Sequence, residues 1–447
     1  MHLKFLLEGF EKNENTDAII RNDKIYSYGR LLSQYHWLKK KIQEDYGLRA
    51  QNVIALKGDF SPAGIVLMLA LIDLNCIIVP LNFNSNEDEK TRIEISEAEF
   101  IIKVNPDDEP EIHATGFKAV NKKFDLLKKE NHPGLILFSS GTSGIPKAAL
   151  HDFTLLLDKF KTKRKSYRTI NFLLFDHWGG LNTMFNTLSN CGTVISLRDR
   201  TPDYVCSLIE KYKAQLLPAS PTFLNLLLIS EAYKRFDLSS LEVITYGSEP
   251  MPESTLKKLS EKFPRVKLQQ TYGLIETGVM STKSKNNDSL WVKLGGDGFE
   301  TRVRDNMLQI KSKSSILCYL NHPSPFTEDG WFITGDEVET DGEYFKILGR
   351  KSDMINVGGE KVFPSEIESV IKELDGIFDV RVYGEKNPLT GNIVCADVCI
   401  KSELDKNELK KIIKKHCNEK LQRYKVPAKI NFTDKIEISD RFKKKPS

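Results

Sequence analysis

The sequence contains no apolar run long enough to cross a membrane. The longest such run covers residues 65–72 and ends before Asp73, whereas a membrane-spanning helix needs roughly 18 or more apolar residues. The apolar residues 5–7 meet Glu8 too soon to form the hydrophobic segment of a signal peptide. We therefore expect a cytoplasmic protein without a membrane span.

Paired cysteines and a large charge imbalance are also missing. None of the seven cysteines forms a Cys-x-x-Cys pair, which argues against a zinc site. An odd number of scattered cysteines is typical of reduced thiols in a reducing compartment. Lysine and arginine number 65 against 61 aspartates and glutamates, a net charge of +4. This near balance gives no reason to expect a nucleic-acid partner.

The chain of 447 residues is too long for one hydrophobic core, so two or more domains are expected. After a hairpin over residues 17–28, strand-like and helix-like segments alternate. The strands are predicted at residues 53–56, 76–80, 172–175, 193–197, 215–217 and 241–246, with helices such as residues 62–74 and 203–212 between them. This alternation predicts an α/β fold with a parallel sheet. In open sheets of this type, ligands bind at the carboxyl ends of the strands.

The pattern changes after about residue 285. Short strands are predicted at residues 331–333, 337–340 and 344–348, with a type I′ turn at Asp341-Gly342. The polar stretch 349–353 suits a linker, and strands and an amphipathic helix follow it. The predicted architecture is a large N-terminal domain of parallel and mixed sheets with helices, residues 1–349, and a small C-terminal α+β domain, residues 350–447.

The most informative segment covers residues 135–150, LILFSSGTSGIPKAAL. An apolar strand leads into a loop of glycine, serine and threonine that ends at Pro146-Lys147. Backbone N–H groups, hydroxyls and one fixed cation are what a triphosphate requires. The spacing differs from the Walker pattern because no Gly-Lys-Ser/Thr follows the glycines.

Further segments follow in a fixed order. They are FDHWGGLNT at residues 175–183, YGSEP at 246–250, TYGLIET at 271–277, TGD at 334–336 and VGGEKVFP at 357–364. Together with the first loop, they resemble the signatures of the adenylate-forming superfamily, which includes acyl- and aryl-CoA synthetases, peptide-synthetase adenylation domains and luciferases. The resemblance covers nearly the whole chain. It implies ATP, Mg²⁺ and coenzyme A as cofactors or cosubstrates.

The resemblance also implies a nucleotide site. ATP phosphates would be bound by Ser139, Ser140, Gly141, Thr142, Ser143, Gly144 and Lys147. Adenine would lie at Gly247, Ser248, Glu249 and Gly273 and stack on Tyr272. The ribose would contact Asp336, and Arg350 would contact the ribose or a phosphate. The small domain would be mobile and rotate about Asp353, so that Gly358 and Gly359 enter the site and let the pantetheine arm pass.

Catalytic roles follow from the same resemblance. Glu276 would hold Mg²⁺, a hard cation that typically takes one carboxylate together with substrate phosphates. Lys147 and Lys443 would neutralise charge as an acyl-adenylate forms, with Lys444 and Lys445 as alternatives to Lys443. His177 would line the acid pocket, and its alternative role is that of a loop histidine held by hydrogen bonds.

Three residues depart from the family pattern. Ile275 stands where a phosphate-binding threonine is usual, and Phe442 and Ala148 stand where glycines are usual. These departures leave open a nucleotide-binding protein with degraded catalysis.

The leading interpretation is an acid–thiol ligase. It would adenylate an aryl, short or fatty carboxylic acid, release pyrophosphate and transfer the acyl group to coenzyme A. One alternative acceptor is the pantetheine of an acyl carrier protein. Another alternative is amino-acid adenylation, because Phe175-Asp176 is similar to the Phe-Asp of amino-acid adenylation domains. By resemblance, the acid pocket would be lined by Trp178, Asn182, Ser220, Thr222 and Gly247.

Overall fold

The computed structural model describes residues 2–82, 86–139, 145–400, 405–434 and 436. The first of two large mixed sheets has the order β20 (Cys318–Tyr319), β8 (Lys147–Asp152), β7 (Gly134–Ser139), β4 (Ile77–Leu81), β3 (Val53–Lys57), β5 (Phe100–Val104) and β6 (Pro110–Ala114). Strands β7, β4, β3 and β5 run parallel. Strands β6, β8 and β20 pair antiparallel with their neighbours.

The second sheet has the order β13 (Lys267–Gln270), β12 (Val243–Tyr246), β11 (Leu216–Ala219), β9 (Arg168–Ile170), β10 (Thr193–Ile195), β1 (Asp17–Arg21) and β2 (Lys24–Ser27). All pairs are parallel except the β1–β2 hairpin. The carboxyl ends of β9 to β13 therefore lie at one edge of this sheet.

An antiparallel sheet follows, in the order β16 (Ser281–Ser284), β17 (Trp291–Gly295), β22 (Tyr344–Arg350), β21 (Phe332–Asp341), β19 (Met307–Ser312) and β18 (Phe299–Arg304). A short hairpin, β14 (Gly273–Leu274) and β15 (Gly278–Val279), precedes it. The C-terminal part contains the hairpin β23 (Ile355–Val357) and β24 (Glu360–Val362), and the sheet β25 (Ile377–Asn387), β26 (Gly391–Ile400) and β27 (Lys429–Thr433).

The α-helices of the described residues are α1 (Lys4–Lys12), α2 (Tyr28–Glu44), α3 (Pro62–Asp73), α4 (Asn86–Ser96), α5 (Asp125–Lys128), α6 (Phe153–Leu157), α7 (Trp178–Ser189), α8 (Pro202–Tyr212), α9 (Pro221–Ser230), α10 (Glu253–Lys262), α11 (Pro364–Ile371) and α12 (Lys406–Lys420). No helix in this described part of the chain combines the length and apolar character needed to cross a bilayer.

Helix α3 lies in the hydrophobic core of the large domain. Ser61 caps it by accepting the N–H of Gly64 at 3.0 Å, and Pro62 occupies the first turn, where a missing N–H is harmless. Every residue from Pro62 to Ile72 is buried, so the helix has no polar face. Strands β3 and β4 are buried along their whole length, as expected where both faces of a parallel sheet are covered.

The predicted fold class is confirmed. The C-terminal sheet has its own core, in which Ile367 and Ile371 of α11 and Leu409 and Ile413 of α12 are buried. The predicted domain boundary between residues 349 and 350 falls inside β22, which continues through Arg350. The position of this boundary stays a prediction.

Three local predictions are wrong. Residues 172–175 form no strand, since the strand in this region is β9, which ends at Ile170. Phe172 and Phe175 instead pack against Phe223 and Phe60, respectively, with ring centroids 4.4 and 5.2 Å apart. The separate strands predicted at residues 331–333 and 337–340 are one strand, β21, which begins at Phe332. The turn after it is formed by Gly342-Glu343, and only Gly342 has a positive φ, as in a type II′ turn.

Candidate functional site

The predicted phosphate loop connects two adjacent strands at the carboxyl edge of the first sheet. Ser139 ends β7 and Lys147 begins β8, and the two residues face each other in the antiparallel register. Ser140, Gly141, Thr142, Ser143 and Gly144 lie outside the described residues, as do Lys443, Lys444 and Lys445. The structure therefore places the two ends of this loop.

Glu276 lies in a tight connection between β14 and β15, where Leu274 pairs with Gly278. Its Oε1 accepts a hydrogen bond from the Tyr319 hydroxyl. The Nζ of Lys147 lies 5.8 Å from the centroid of the same Tyr319 ring, within the range of a cation–π contact. The predicted metal ligand Glu276 and the predicted phosphate-binding Lys147 thus both contact Tyr319.

Residues around Tyr319 fix the end of the predicted phosphate loop. Asn321 accepts the N–H of Ala148 at 3.0 Å and donates its amide N–H to the carbonyl of Pro146 at 2.8 Å. Lys123 donates to the carbonyl of Tyr319 at 2.6 Å. The end of the loop is therefore braced by side chains that lie far away in the sequence.

The donor set around Glu276 fits a cation that is shared with a substrate. Within the described residues no group of three His, Cys, Asp or Glu side chains could hold a metal by itself. One oxygen of Glu276 is bound by Tyr319, and no other described residue binds its side chain. One carboxylate oxygen together with substrate phosphates is the arrangement that Mg²⁺ commonly takes.

Asp336 and Arg350 lie opposite each other on β21 and β22. The Nε of Arg350 is 3.5 Å from Oδ1 of Asp336, and Oδ2 of Asp336 accepts the hydroxyl of Tyr272. Burial raises the pKa of Asp336, and the Tyr272 hydroxyl and the Arg350 guanidinium act in the opposite direction. The predicted ribose-binding pair, Asp336 and Arg350, is thus brought together. Tyr272 is buried, and its hydroxyl donates a hydrogen bond to Asp336.

The predicted adenine loop follows β12. A Cβ on Gly247 would lie 2.6 Å from the Thr271 carbonyl oxygen, so glycine is needed there to pack against the neighbouring strand end. Ser248 has a φ of +71°, and Oε1 of Glu249 accepts the N–H of Thr222 at 2.7 Å, in the first turn of α9. Gly273 pairs with Val279 in the β14–β15 hairpin.

His177 is the N-cap of α7. Its Nδ1 accepts the N–H of Gly179 at 3.0 Å, so the proton of a neutral ring lies on Nε2. Of the residues expected to line the acid pocket, Trp178, Ser220 and Thr222 are buried. The position at the start of α7 agrees with both interpretations of this histidine.

Asp176, just before His177, forms a buried ion pair with Arg92 of α4. The Nη1 of Arg92 lies 3.1 Å from Oδ2 of Asp176, and the guanidinium lies 5.6 Å from the ring centroid of Phe138. The Asp176 carboxylate is therefore already neutralised by a cation. This weighs against amino-acid adenylation, in which the substrate ammonium would need that carboxylate.

Gly358 and Gly359 form the two-residue turn of the β23–β24 hairpin. Their φ values of +62° and +94° suit a type I′ turn. Beyond the turn, Lys361 forms an ion pair with the buried Glu337 at 3.0 Å, next to Asp336. The C-terminal hairpin is thus tied to the sheet that carries the predicted ribose-binding pair.

Tyr319, Asn321 and Arg92 are candidate site residues that the sequence pattern did not reveal. Tyr319 and Asn321 come from a two-residue edge strand and the residues after it, and the position of Arg92 depends on the docking of α4. No spacing rule links these residues to the phosphate loop.

Solved structures share this fold from end to end. The anthranilate CoA ligase AuaEII in complex with anthranoyl-AMP is similar with a TM-score of 0.83 at 19% identity, covering 98% of this chain and 95% of that one. ATP-bound MatB from Rhodopseudomonas palustris has a TM-score of 0.76 at 22% identity, covering 99% of this chain and 97% of that one. The fold is therefore that of the adenylate-forming enzymes.

The chain belongs to the AMP-binding enzyme family. The model of that family matches residues 7–299, and the model of the AMP-binding enzyme C-terminal domain matches residues 366–443. The superfamily resemblance seen in the motifs is thereby confirmed.

Curated relatives match most of the chain at 25–30% identity. Acyl-CoA synthetase 7 of Caenorhabditis elegans is 30% identical over 71% of this chain, and this match spans 64% of the relative's length. The long-chain-fatty-acid–CoA ligase FadD13 of Mycobacterium tuberculosis (strain CDC 1551 / Oshkosh) is 30% identical over 67% of this chain and 64% of its own length. The 2-succinylbenzoate–CoA ligase of Listeria monocytogenes serotype 4b (strain F2365) is 25% identical over 87% of this chain and 86% of its own length.

Proposed function

We propose that the chain is an ATP-dependent acid–thiol ligase that forms an acyl-adenylate and then a thioester with coenzyme A. The observation that carries this proposal is the meeting of Lys147 and Glu276 at Tyr319, beside the predicted phosphate loop. Relatives named as fatty-acyl and succinylbenzoate CoA ligases support the reaction class. The acid itself remains open between aryl, short and fatty acids.

In the first step, a carboxylate oxygen of the acid attacks the α-phosphorus of ATP. The bond between the α-phosphorus and the bridging oxygen breaks, and pyrophosphate leaves with the bonding electrons. Lys147 and the predicted Lys443 lower the energy of the added negative charge, and no protein nucleophile is required. Mg²⁺ held by Glu276 would supply further charge neutralisation at the phosphates.

In the second step, the thiol of coenzyme A loses its proton to solvent and its sulfur attacks the acyl carbon. The bond between this carbon and the phosphate oxygen breaks, and AMP leaves with that oxygen of the original acid and the bonding electrons. We infer that this step requires rotation of the small domain about the predicted hinge at Asp353. The ion pair between Lys361 and Glu337 would then have to break or move, because it joins the β23–β24 hairpin to β21.

The test is pyrophosphate release with ATP and Mg²⁺ across a panel of aryl, short, medium, long-chain and amino acids, with and without coenzyme A. We expect release for one acid class, with a thioester formed only when coenzyme A is present. Pyrophosphate release without a coenzyme A thioester would indicate that the acyl acceptor is a carrier protein instead of coenzyme A. ATP binding without release for any acid would contradict the proposal and favour degraded catalysis.

A further inference from the structure

Tyr319 contacts two opposite charges of the candidate site. Its hydroxyl donates to Oε1 of Glu276, and the Nζ of Lys147 lies 5.8 Å from its ring centroid. The tyrosine is 4% exposed, so its ring and hydroxyl contact protein rather than solvent. Neither the loop motifs nor the metal-ligand pattern assigns it a role.

The backbone holds Tyr319 and Glu276 in place independently of this hydrogen bond. Tyr319 pairs with Ala149 in the β20–β8 ladder, and its carbonyl accepts the ammonium of Lys123 at 2.6 Å. The carbonyl of Glu276 accepts the N–H of Ile316 at 2.9 Å. Since both partners are fixed, the hydroxyl has little freedom to leave the carboxylate, and its orientation is set before any ligand binds.

The two charged residues that contact Tyr319 do not form an ion pair with each other. Lys147 forms no ion pair with any carboxylate of the described residues, although the acidic Glu276 contacts the same side chain. A direct Lys147–Glu276 pair would neutralise both groups and leave neither for phosphate or cation.

We propose that Tyr319 is a positioning residue that fixes one oxygen of Glu276, leaves the other for a divalent cation and keeps Lys147 apart from the carboxylate. This inference rests on the proposed function, because it assigns the cation and the lysine to the phosphates of ATP. It gives Tyr319 a role that is exerted through Glu276 and Lys147.

The test compares Tyr319→Phe with Tyr28→Phe. Both changes remove one buried hydroxyl, but Tyr28 donates to the Gly192 carbonyl at 2.6 Å, away from the site residues. The first readout is Mn²⁺ binding in the presence of a non-hydrolysable ATP analogue, measured as free Mn²⁺ by electron paramagnetic resonance. The second is the Mg²⁺ concentration needed for half-maximal pyrophosphate release. We expect Tyr319→Phe to weaken Mn²⁺ binding and to raise the Mg²⁺ requirement by about 10- to 100-fold, the usual effect of removing the partner of a metal ligand.

Tyr28→Phe should leave both readouts unchanged, and thermal unfolding should show that Tyr319→Phe is folded. Equal Mn²⁺ affinities and equal Mg²⁺ requirements for wild type and Tyr319→Phe would overturn the inference. Tyr319→Leu, which also removes the ring, should lower kcat further, because Lys147 can then pair with Glu276. A wild type without acid-dependent pyrophosphate release is a separate result: it refutes the proposed function, while the Mn²⁺ measurement still decides whether Tyr319 positions Glu276.

Discussion

Asp336 and Arg350 lie directly opposite each other on β21 and β22, with Arg350 Nε 3.5 Å from Asp336 Oδ1. The carboxylate is buried and also accepts the hydroxyl of Tyr272. A buried carboxylate held between a guanidinium and a phenol is well placed to accept hydrogen bonds from a diol. The first two predictions follow from this arrangement.

Asp336→Asn should raise the KM for ATP by roughly 10- to 100-fold, because hydrogen bonds to a charged group contribute about 1.5–3 kcal/mol each. The effect on kcat should be smaller, since the ribose does not react. Steady-state pyrophosphate release at saturating acid measures both parameters. The matched control is Asp341→Asn, the same change at an exposed end of the same strand, where Asp341 pairs with Lys285. Equal KM values for the two variants would contradict the assignment of Asp336 to the ribose.

The affinity for ATP should fall at acid pH. Burial raises the pKa of Asp336, so the carboxylate gains its proton at a higher pH than an ordinary aspartate and then accepts hydrogen bonds less well. Arg350→Gln removes a cation that lowers this pKa, and the acid-side rise in the KM for ATP should therefore begin at a higher pH in this variant. Lys346→Gln, on the same strand, is the control. A shift toward lower pH in Arg350→Gln would be incompatible with this account.

His151 should make the stability of the fold depend on pH. Burial lowers the pKa of this histidine to about 3, and neither ring nitrogen has a hydrogen-bond partner among the described residues. In the unfolded chain the imidazole binds a proton near its ordinary pKa of 6.5, so unfolding takes up a proton between these two values and stability falls as pH decreases. This contribution amounts to about 2 kcal/mol between pH 7 and pH 5.

Urea unfolding of wild type and His151→Leu at pH 7 and pH 5 measures this difference. The variant should lose about 2 kcal/mol less than wild type over that interval, whatever its absolute stability. His113→Gln, at an exposed histidine of β6, should behave like wild type. The same pH dependence in wild type and His151→Leu would contradict this prediction and show that groups other than His151 determine how the free energy of unfolding changes between pH 7 and pH 5.

Lys361→Gln should loosen the attachment of the β23–β24 hairpin to β21, because Glu337 is buried and pairs with Lys361 at 3.0 Å. If the small domain rotates about Asp353, loss of this pair should increase the rate of limited proteolysis near residues 351–353 by about 2- to 10-fold. Lys386→Gln removes an exposed charge from β25 and serves as the control. Cleavage at the same rate in both variants would contradict the view that the Lys361–Glu337 ion pair holds the hairpin against β21.

Much of the large domain could be predicted because its signals are local. The buried strands β3 and β4 and the apolar helix α3 follow from short apolar runs, and their parallel pairing follows from their order. The same reasoning from apolar runs failed for residues 172–175, which form a loop. Phe172 and Phe175 in this loop pack into two different hydrophobic cores and not into a sheet. An apolar run shows that residues are buried but does not show how the backbone pairs.

The candidate site was predictable only in part for a related reason. Lys147, Glu276 and Asp336 lie in segments with recognisable patterns, so their candidate roles could be predicted without a structure. The role of Tyr319 depends on the pairing of a two-residue edge strand with β8, and that of Arg92 depends on the docking of α4 against Asp176. Such contacts arise from tertiary structure, and no spacing along the chain encodes them.

The most direct test of the central claim is the fate of a labelled oxygen. The acid found active in the pyrophosphate-release panel is prepared with ¹⁸O in its carboxylate, and the products of one reaction with ATP and coenzyme A are analysed by mass spectrometry. An acyl-adenylate requires that one ¹⁸O atom appears in each AMP and none in pyrophosphate. Unlabelled AMP, or label in pyrophosphate or inorganic phosphate, would contradict adenylation by this chain.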